Sequence, residues 1–167
     1  IVRLHADVDE HCATASTLGP EREGAGIVID ENGLILTVGY IIVEARDVTI
    51  SILGRTEPVV GEAIAYDHES GLGMVRAVED LDLAPMALGS ARTLVAGDPV
   101  VVSGYGGYSQ AIAANVVARQ EFAGSWEYML DNAVFTTPLH PYWGGAALIG
   151  PDGALAGVGS LYLEEPL

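Results

Sequence analysis

The chain has 167 residues, with 23 Asp and Glu against 7 Lys and Arg, so its formal net charge is −16. Nucleic-acid binding through phosphate neutralisation needs clustered cations, and the seven basic residues, all Arg, are scattered along the chain. An anionic membrane surface would repel the chain for the same reason. Half of the residues are hydrophobic, which excludes an intrinsically disordered chain. Because no run of about 18 apolar residues is present, we expect no direct membrane insertion.

The first half of the chain is predicted to form short β-strands, because its apolar runs are rich in Val and Ile and are bounded by turn residues. The pair Asn32-Gly33 predicts a hairpin turn, since both residues tolerate positive φ. A single helix of about two turns is predicted over Gly39–Arg46. The predicted strands are Gly26–Asp30, Leu34–Val38, Val48–Leu53, Glu62–Tyr66 and Leu72–Ala77.

The second half repeats this pattern after an acidic, Pro-containing connection. We divide the chain into an N-terminal β unit with a leading segment (1–80), a connector (81–91) and a C-terminal β unit (92–167). The spacing predicts an all-β fold, and the pattern alone does not separate a barrel from a sandwich. The predicted strands here are Pro99–Ser103, Ala111–Ala118, Ala133–Thr137, Ala146–Ile149 and Ala154–Ser160.

Six segments between residues 24 and 160 carry a resemblance to one protein family. Gly24–Thr37, Ala65–Val75 and the run Gly144–Leu148, followed by Asp152-Gly153, resemble motifs of the HtrA-like branch of the trypsin-fold serine proteases in sequence and in spacing. The resemblance implies two packed six-stranded Greek-key β-barrels, a trypsin-like double barrel with the active site in the cleft between them. It also implies that the C-terminal barrel lacks its last strand and helix.

The catalytic residues of that family are absent from the matching positions. Acyl transfer by serine needs a hydroxyl nucleophile, an imidazole base and a carboxylate that orients the imidazole. The resemblance places the family's His, Asp and Ser at Tyr40, Gly71 and Gly144. A phenol with an ordinary pKa near ~10 is a poor base at neutral pH, and glycine carries no reacting group. We therefore predict a degenerate triad and no catalytic residues.

The oxyanion hole is also predicted to be altered. In the family, a Gly two residues before the nucleophile donates a backbone N–H from an unusual conformation, and here that position is Tyr142. A bulky residue with positive φ is a steric outlier. The loop around Tyr142 is therefore expected to take another course.

Two other sets of residues are candidates for a reactive thiol and for a metal site. Cys12 follows His11, but neighbouring side chains usually diverge, and a surface thiol is the preferred interpretation. His140 with His68 or Asp67 is a candidate metal site across the two barrels. Zinc needs about four ligands in close geometry, and no such spacing is present. We therefore expect no metal and no cofactor.

Aromatic residues and one histidine are the predicted binding residues. The resemblance places His140 on the wall of the former cleft, beside two bulky rings. The segment 120–128 is polar and aromatic where the family only bridges strands, so it is predicted to be recognition surface. The predicted binding residues are His140, Tyr142, Trp143, Phe122, Trp126 and Tyr128.

The leading hypothesis is a pseudoprotease, an HtrA-like homologue that binds a protein or peptide in or near the former cleft without cleaving it. Its acidic charge favours a neutral or basic partner. The alternatives are an active serine endopeptidase and a structural subunit that docks onto an active paralogue. A homo-oligomer and a periplasmic or other extracytoplasmic location are expected from the resemblance alone.

Overall fold

Six strands at the N-terminal end close into a barrel. The computed structural model describes residues 1–124 and 129–163. The barrel strands pair antiparallel in the order β1-β2-β3-β6-β5-β4, and β4 returns to β1. Their bounds are β1 Val2–Val8, β2 Glu21–Val28, β3 Leu34–Val38, β4 Ala45–Ser51, β5 Val59–Tyr66 and β6 Leu72–Ala77.

Strand β1 was not predicted, although it carries a clear two-residue pattern. Val2, Leu4 and Ala6 are fully buried, whereas the residues between them, Arg3 and His5, are exposed or half-buried. This alternation is that of a strand with one face on the core. Because β1 pairs with both β2 and β4, it is the strand that closes the barrel.

The helix predicted over Gly39–Arg46 is wrong. The chain makes one 3₁₀ turn at Gly39–Ile41, and β4 begins at Ala45. The run Ile41-Ile42-Val43 is β-branched, which disfavours a helix, and Ile41 and Ile42 are buried in the barrel core. A short helix, α1, occurs instead at Ala15–Leu18.

Five strands of the C-terminal part form a second, curled sheet, a half-barrel. Its strand order is β11-β10-β7-β8-β9. This order matches that of the first barrel with one position open between β9 and β11, so the second unit has five strands among the described residues instead of six. The bounds are β7 Pro99–Ser103, β8 Ala111–Phe122, β9 Leu130–Thr137, β10 Ala147–Ile149 and β11 Leu155–Val158.

The two sheets share an apolar contact. Ile27 of the barrel packs with Ala147 and Leu155 of the second sheet, and all three are buried. The connecting segment follows the same seam, because Met86 N–H donates to Val28 O (2.8 Å) and Leu88 forms a bridge with Leu155. The double β-barrel fold of the trypsin type is thus present, with a groove between its two parts.

Candidate functional site

The three positions that the resemblance aligns with a catalytic triad meet in the groove between the two sheets. Tyr40 lies in the 3₁₀ turn after β3, and Gly144 lies in the loop between β9 and β10. A Cβ atom added to Gly144 would be 2.9 Å from the Tyr40 hydroxyl. The carbonyl of Gly71, in the β5–β6 turn, accepts a hydrogen bond from the N–H of Gly39, next to Tyr40 (2.7 Å). The residues that the resemblance aligned are therefore neighbours in space.

The phenol of Tyr40 bridges the two sheets. Its ring packs against the core of the first barrel, and its hydroxyl donates to the carbonyl of Ser160, just beyond β11, at 3.0 Å. The hydroxyl therefore acts as a hydrogen-bond donor in this site. Neither Gly71 nor Gly144 adds a group that could remove a proton or attack a carbonyl.

In the loop before Gly144, the N–H of Tyr142, which stands at the predicted oxyanion-donor position, is already hydrogen-bonded. Tyr142 N–H donates to Nδ1 of His140 (3.0 Å), and Nε2 of His140 lies 2.8 Å from Gln110 O. A backbone N–H can only donate and a carbonyl can only accept, so His140 is the neutral tautomer with its proton on Nε2. Among the described non-glycine residues, positive φ occurs at Glu44 and Asp82, and not at Tyr142.

His140 is not placed as the sequence analysis expected. Its residue is only 3% exposed, and both ring nitrogens are engaged in the two hydrogen bonds just described. It therefore holds the loop, and it has no free nitrogen for a ligand or a metal ion. These contacts argue against the candidate metal site, and the binding role of His140 stays a prediction.

The other predicted binding residues lie in different surroundings. Tyr142 is 67% exposed. Trp143 is half-buried, and its ring packs against Tyr162 with 5.7 Å between centroids. Phe122, near the end of β8, packs edge-on against Phe135 at 5.8 Å, so its ring joins β8 to β9. The remaining two, Trp126 and Tyr128, lie outside the described residues.

The histidines of the two other candidate sites make contacts with neighbouring residues. The ring of His11 bonds Asp9 (3.2 Å) and is not paired with Cys12. The ring of His68 packs on Tyr66 with 4.4 Å between centroids. Within residues 1–124 and 129–163, no three His, Cys, Asp or Glu side chains are grouped as a metal ion would require.

Asp67 organises the turn that carries Gly71. Its carboxylate accepts from the Ser70 hydroxyl (2.5 Å) and from the N–H groups of Glu69 and Ser70 (3.3 Å each). The Ser70 hydroxyl first, and then these N–H groups, hold the pKa of Asp67 below its usual value. The carboxylate therefore stays charged at neutral pH beside the groove.

An acidic recess lies between this turn and β9. It is open, measures about 360 Å³, and its lining includes the carboxyl residues Asp67, Glu69 and Asp131 with the apolar Met129 and Leu130. Glu69, Met129 and Asp131 were not predicted as site residues. The recess brings together residues about sixty positions apart in the chain, which no local sequence pattern shows.

Arg22 supports the turn that carries Tyr40 and was also missed. It is 5% exposed, and its guanidinium donates to the carbonyls of Tyr40 (3.0 Å) and Val43 (2.8 Å) and to the hydroxyl of Thr14 (2.8 Å). Burial lowers the pKa of this guanidinium. Thr14 in turn donates to Glu44 through its hydroxyl (2.6 Å). This network fixes the main chain on both sides of the phenol.

Comparison with protein families matches residues 24–158 to the trypsin-like peptidase domain. The chain belongs to this family. Tyr40, Gly71 and Gly144 lie within the matched range, as do all the strands except β1 and the start of β2.

Curated relatives of this trypsin-like domain are HtrA-type proteases. The chain is 25% identical over 147 residues to a probable periplasmic serine endoprotease DegP-like of Pseudomonas fulva (strain 12-X), covering 85% of this chain and 30% of the relative. It is 31% identical over 150 residues to the mitochondrial serine protease HTRA2 of Drosophila grimshawi, covering 83% of this chain and 34% of the relative. The chain therefore spans about a third of the length of these relatives.

Solved structures support the same fold. The HtrA-type protease AlgW with a tripeptide superposes with a TM-score of 0.73 at 17% identity, over 94% of this chain and 49% of that chain. The active form of the Rv3671c protease from M. tuberculosis gives a TM-score of 0.70 at 20% identity, over 94% of this chain and 67% of that chain. At such identities the likeness concerns the fold alone. Among the described residues of this trypsin-like domain, no helix is long and apolar enough to cross a membrane.

Proposed function

We propose that this chain is a non-catalytic, HtrA-like member of the trypsin-like peptidase domain family that binds a protein or peptide in or beside the former substrate cleft. One observation carries the proposal: the phenol of Tyr40 lies where a Cβ of residue 144 would be only 2.9 Å away. A side chain at position 144 would therefore require this phenol to move from its observed place. The observed packing therefore fits a residue 144 that has no nucleophilic side chain.

The size of the catalytic deficit supports the proposal. Loss of a key triad residue costs about 10⁶-fold in turnover, or about 8 kcal/mol of transition-state stabilisation. The residual activity of triad-less enzymes depends on an intact oxyanion hole and substrate cleft. Here the N–H of Tyr142 is already bonded to His140. Removal of an oxyanion donor alone costs about 10²–10³-fold.

Peptide binding needs none of these catalytic groups. An extended peptide can add to a sheet edge through main-chain hydrogen bonds, with pockets that receive its side chains. The second sheet has edge strands at β9 and β11 among the described residues. The recess beside β9 carries Asp67, Glu69 and Asp131. With a net charge of −16, the chain favours a neutral or basic segment over an acidic one.

A first experiment tests whether the chain is catalytic. The purified protein is incubated with fluorescein-labelled casein and, separately, with a fluorophosphonate probe, and trypsin serves as the positive control. We expect no release of fluorescent peptides and no labelled serine. Turnover of casein, or a probe adduct located on a serine of the chain, would support the active endopeptidase that the relatives' names suggest and would refute the proposal.

A second experiment tests binding. An array of extended ten-residue peptides graded from net charge about −4 to about +4 is probed with the protein, and fluorescence anisotropy then gives the Kd of retained peptides. We expect neutral and basic peptides to bind and acidic ones to be rejected, with weaker binding as salt rises. The variant Glu69→Gln should weaken the binding of the basic peptides. Glu31→Gln is the control and should leave that binding unchanged, because Glu31 lies in the β2–β3 turn, at the end of β3 opposite Tyr40.

A structural subunit that docks onto an active paralogue would give a different result. In that case no peptide would bind in the array, and the chain would instead co-purify with a full-length protease of the same family. We further propose an extracytoplasmic location, supported by the periplasmic name of the DegP-like relative, while the HTRA2 relative is named mitochondrial. Cell fractionation tests the location, and light scattering after size exclusion tests for the homo-oligomer.

A further inference from the structure

Three hydrogen bonds among the described residues hold the segment that follows β11. Gly159 N–H donates to Ala146 O (2.7 Å), and Gly145 N–H donates to Gly159 O (2.8 Å). The next residue, Ser160, offers its carbonyl to the Tyr40 hydroxyl at 3.0 Å. The first two bonds lie within the second sheet and its loops. The Tyr40 bond is the contact of the three that ties the segment to the other sheet.

This bond depends on the glycine at position 144. Of the described atoms, a Cβ added there would have only two within 4 Å, the Tyr40 hydroxyl at 2.9 Å and its Cζ at 3.9 Å. Residue 144 does not have positive φ, so its backbone tolerates alanine. A methyl group at 144 would therefore disturb the phenol and little else.

We propose that Tyr40 and Gly144 form a matched pair that makes an internal latch, in which the phenol closes the groove by bonding the Ser160 carbonyl. The latch withholds that main-chain acceptor from any extended ligand that pairs along the edge beyond β11. A ligand that uses it must first displace the phenol. The effect on ligands rests on the proposed function, whereas the existence of the latch does not.

A double-mutant cycle tests the matched pair without any ligand. Urea unfolding is measured for the wild type, Tyr40→Phe, Gly144→Ala and the double variant. In the wild-type background, Gly144→Ala should lower the folding equilibrium constant about fivefold or more, the worth of one hydrogen bond. In the Tyr40→Phe background the methyl group has room, and Gly144→Ala should be neutral or stabilising, as at a compatible backbone position. Equal effects of Gly144→Ala in both backgrounds would overturn the pair.

Amide hydrogen exchange tests whether the phenol holds the segment. Tyr40→Phe keeps the ring and removes only the hydroxyl, so the fold should persist. The amides of Gly145 and Gly159, which are bonded within the held segment, should exchange about fivefold faster, while the Leu34 amide in β3 stays unchanged. Tyr108→Phe, at a residue that is 98% exposed, is the matched control. Unchanged exchange at both amides in Tyr40→Phe would refute the latch.

The ligand arm uses the neutral and basic peptides of the binding experiment. We expect Tyr40→Phe to bind them about fivefold more tightly than the wild type, and Tyr108→Phe to bind like the wild type. Equal affinity of Tyr40→Phe and the wild type would show that the latch does not control the groove. If neither variant binds any peptide, the proposed function fails, while the cycle and the exchange rates still decide whether the latch exists.

Discussion

Replacement of His140 by leucine provides a quantitative test of how the loop before Gly144 is held. The imidazole joins two backbone groups, Tyr142 N–H at 3.0 Å and Gln110 O at 2.8 Å, from a residue that is 3% exposed. Leucine fills a similar volume but satisfies neither group. Both bonds are part-buried, and the loss of each is worth about 1 kcal/mol. The free energy of unfolding of His140→Leu should therefore fall by about 2 kcal/mol.

Urea and thermal unfolding, followed by circular dichroism, measure this loss. For a chain of this size, about 1 kcal/mol corresponds to roughly 2–4 °C in Tm, so we expect Tm to fall by about 4–8 °C. His11→Leu is the matched control, because the side chain of His11 is 92% exposed and bonds only its near neighbour Asp9 among the described contacts. Its stability should stay within about 0.5 kcal/mol of the wild type.

The outcome discriminates between a structural and a recognition role for His140. If His140→Leu unfolds at the wild-type temperature, the two hydrogen bonds do not hold the loop, and the explanation given for the blocked oxyanion position is incorrect. If the variant is stable but loses peptide affinity, His140 contacts the ligand after all, as the sequence alone suggested.

Three further predictions concern the degenerate triad and its supports. The triple variant Tyr40→His, Gly71→Asp, Gly144→Ser should fold but should not hydrolyse casein. The reason is that the N–H of Tyr142 is already bonded to the buried His140. Casein turnover by this variant would contradict that account. Asp67→Asn should lower the free energy of unfolding more at pH 7 than at pH 2, because a carboxylate with a lowered pKa stabilises the fold above its ordinary pKa near ~4 and loses that effect as pH falls through the folded value. Urea titrations of both proteins at the two pH values measure the difference. Arg22→Met should lower the free energy of unfolding, measured in urea, by about 2–4 kcal/mol, because the part-buried bonds from the guanidinium to the carbonyls of Tyr40 and Val43 are lost. A loss smaller than about 1 kcal/mol would show that the guanidinium does not hold the turn.

Much of the fold could be predicted from local pattern. Strands β3, β6 and β7 occur with the predicted bounds, because turn residues border them and each has a buried face. The missed strand β1 also has such a pattern, but Asp7 and Asp9 make its C-terminal end polar, which is less typical of a strand. The helix predicted over Gly39–Arg46 failed because the buried β-branched residues there pack into the barrel core.

Some features of the site follow from the family resemblance, whereas others depend on three-dimensional contacts. The meeting of Tyr40, Gly71 and Gly144 follows from aligned motifs and is independent of any local propensity. The role of His140 could not be read in this way, since it is decided by the carbonyl of Gln110, thirty residues earlier. A histidine near a cleft wall has the same sequence signature whether it faces the groove or turns away from it.

The degenerate positions are better explained as one packed arrangement than as three separate losses. A phenol in place of the base fits only if residue 144 has no Cβ, and the phenol then gains the Ser160 carbonyl as an acceptor. Glycine at 71, with φ of +71°, accepts from the N–H of Gly39 and so fixes the start of the turn that carries the phenol. A side chain at position 144 would displace the phenol and so disturb its bond to Ser160. The three positions are therefore linked through the phenol of Tyr40 and the turn that carries it.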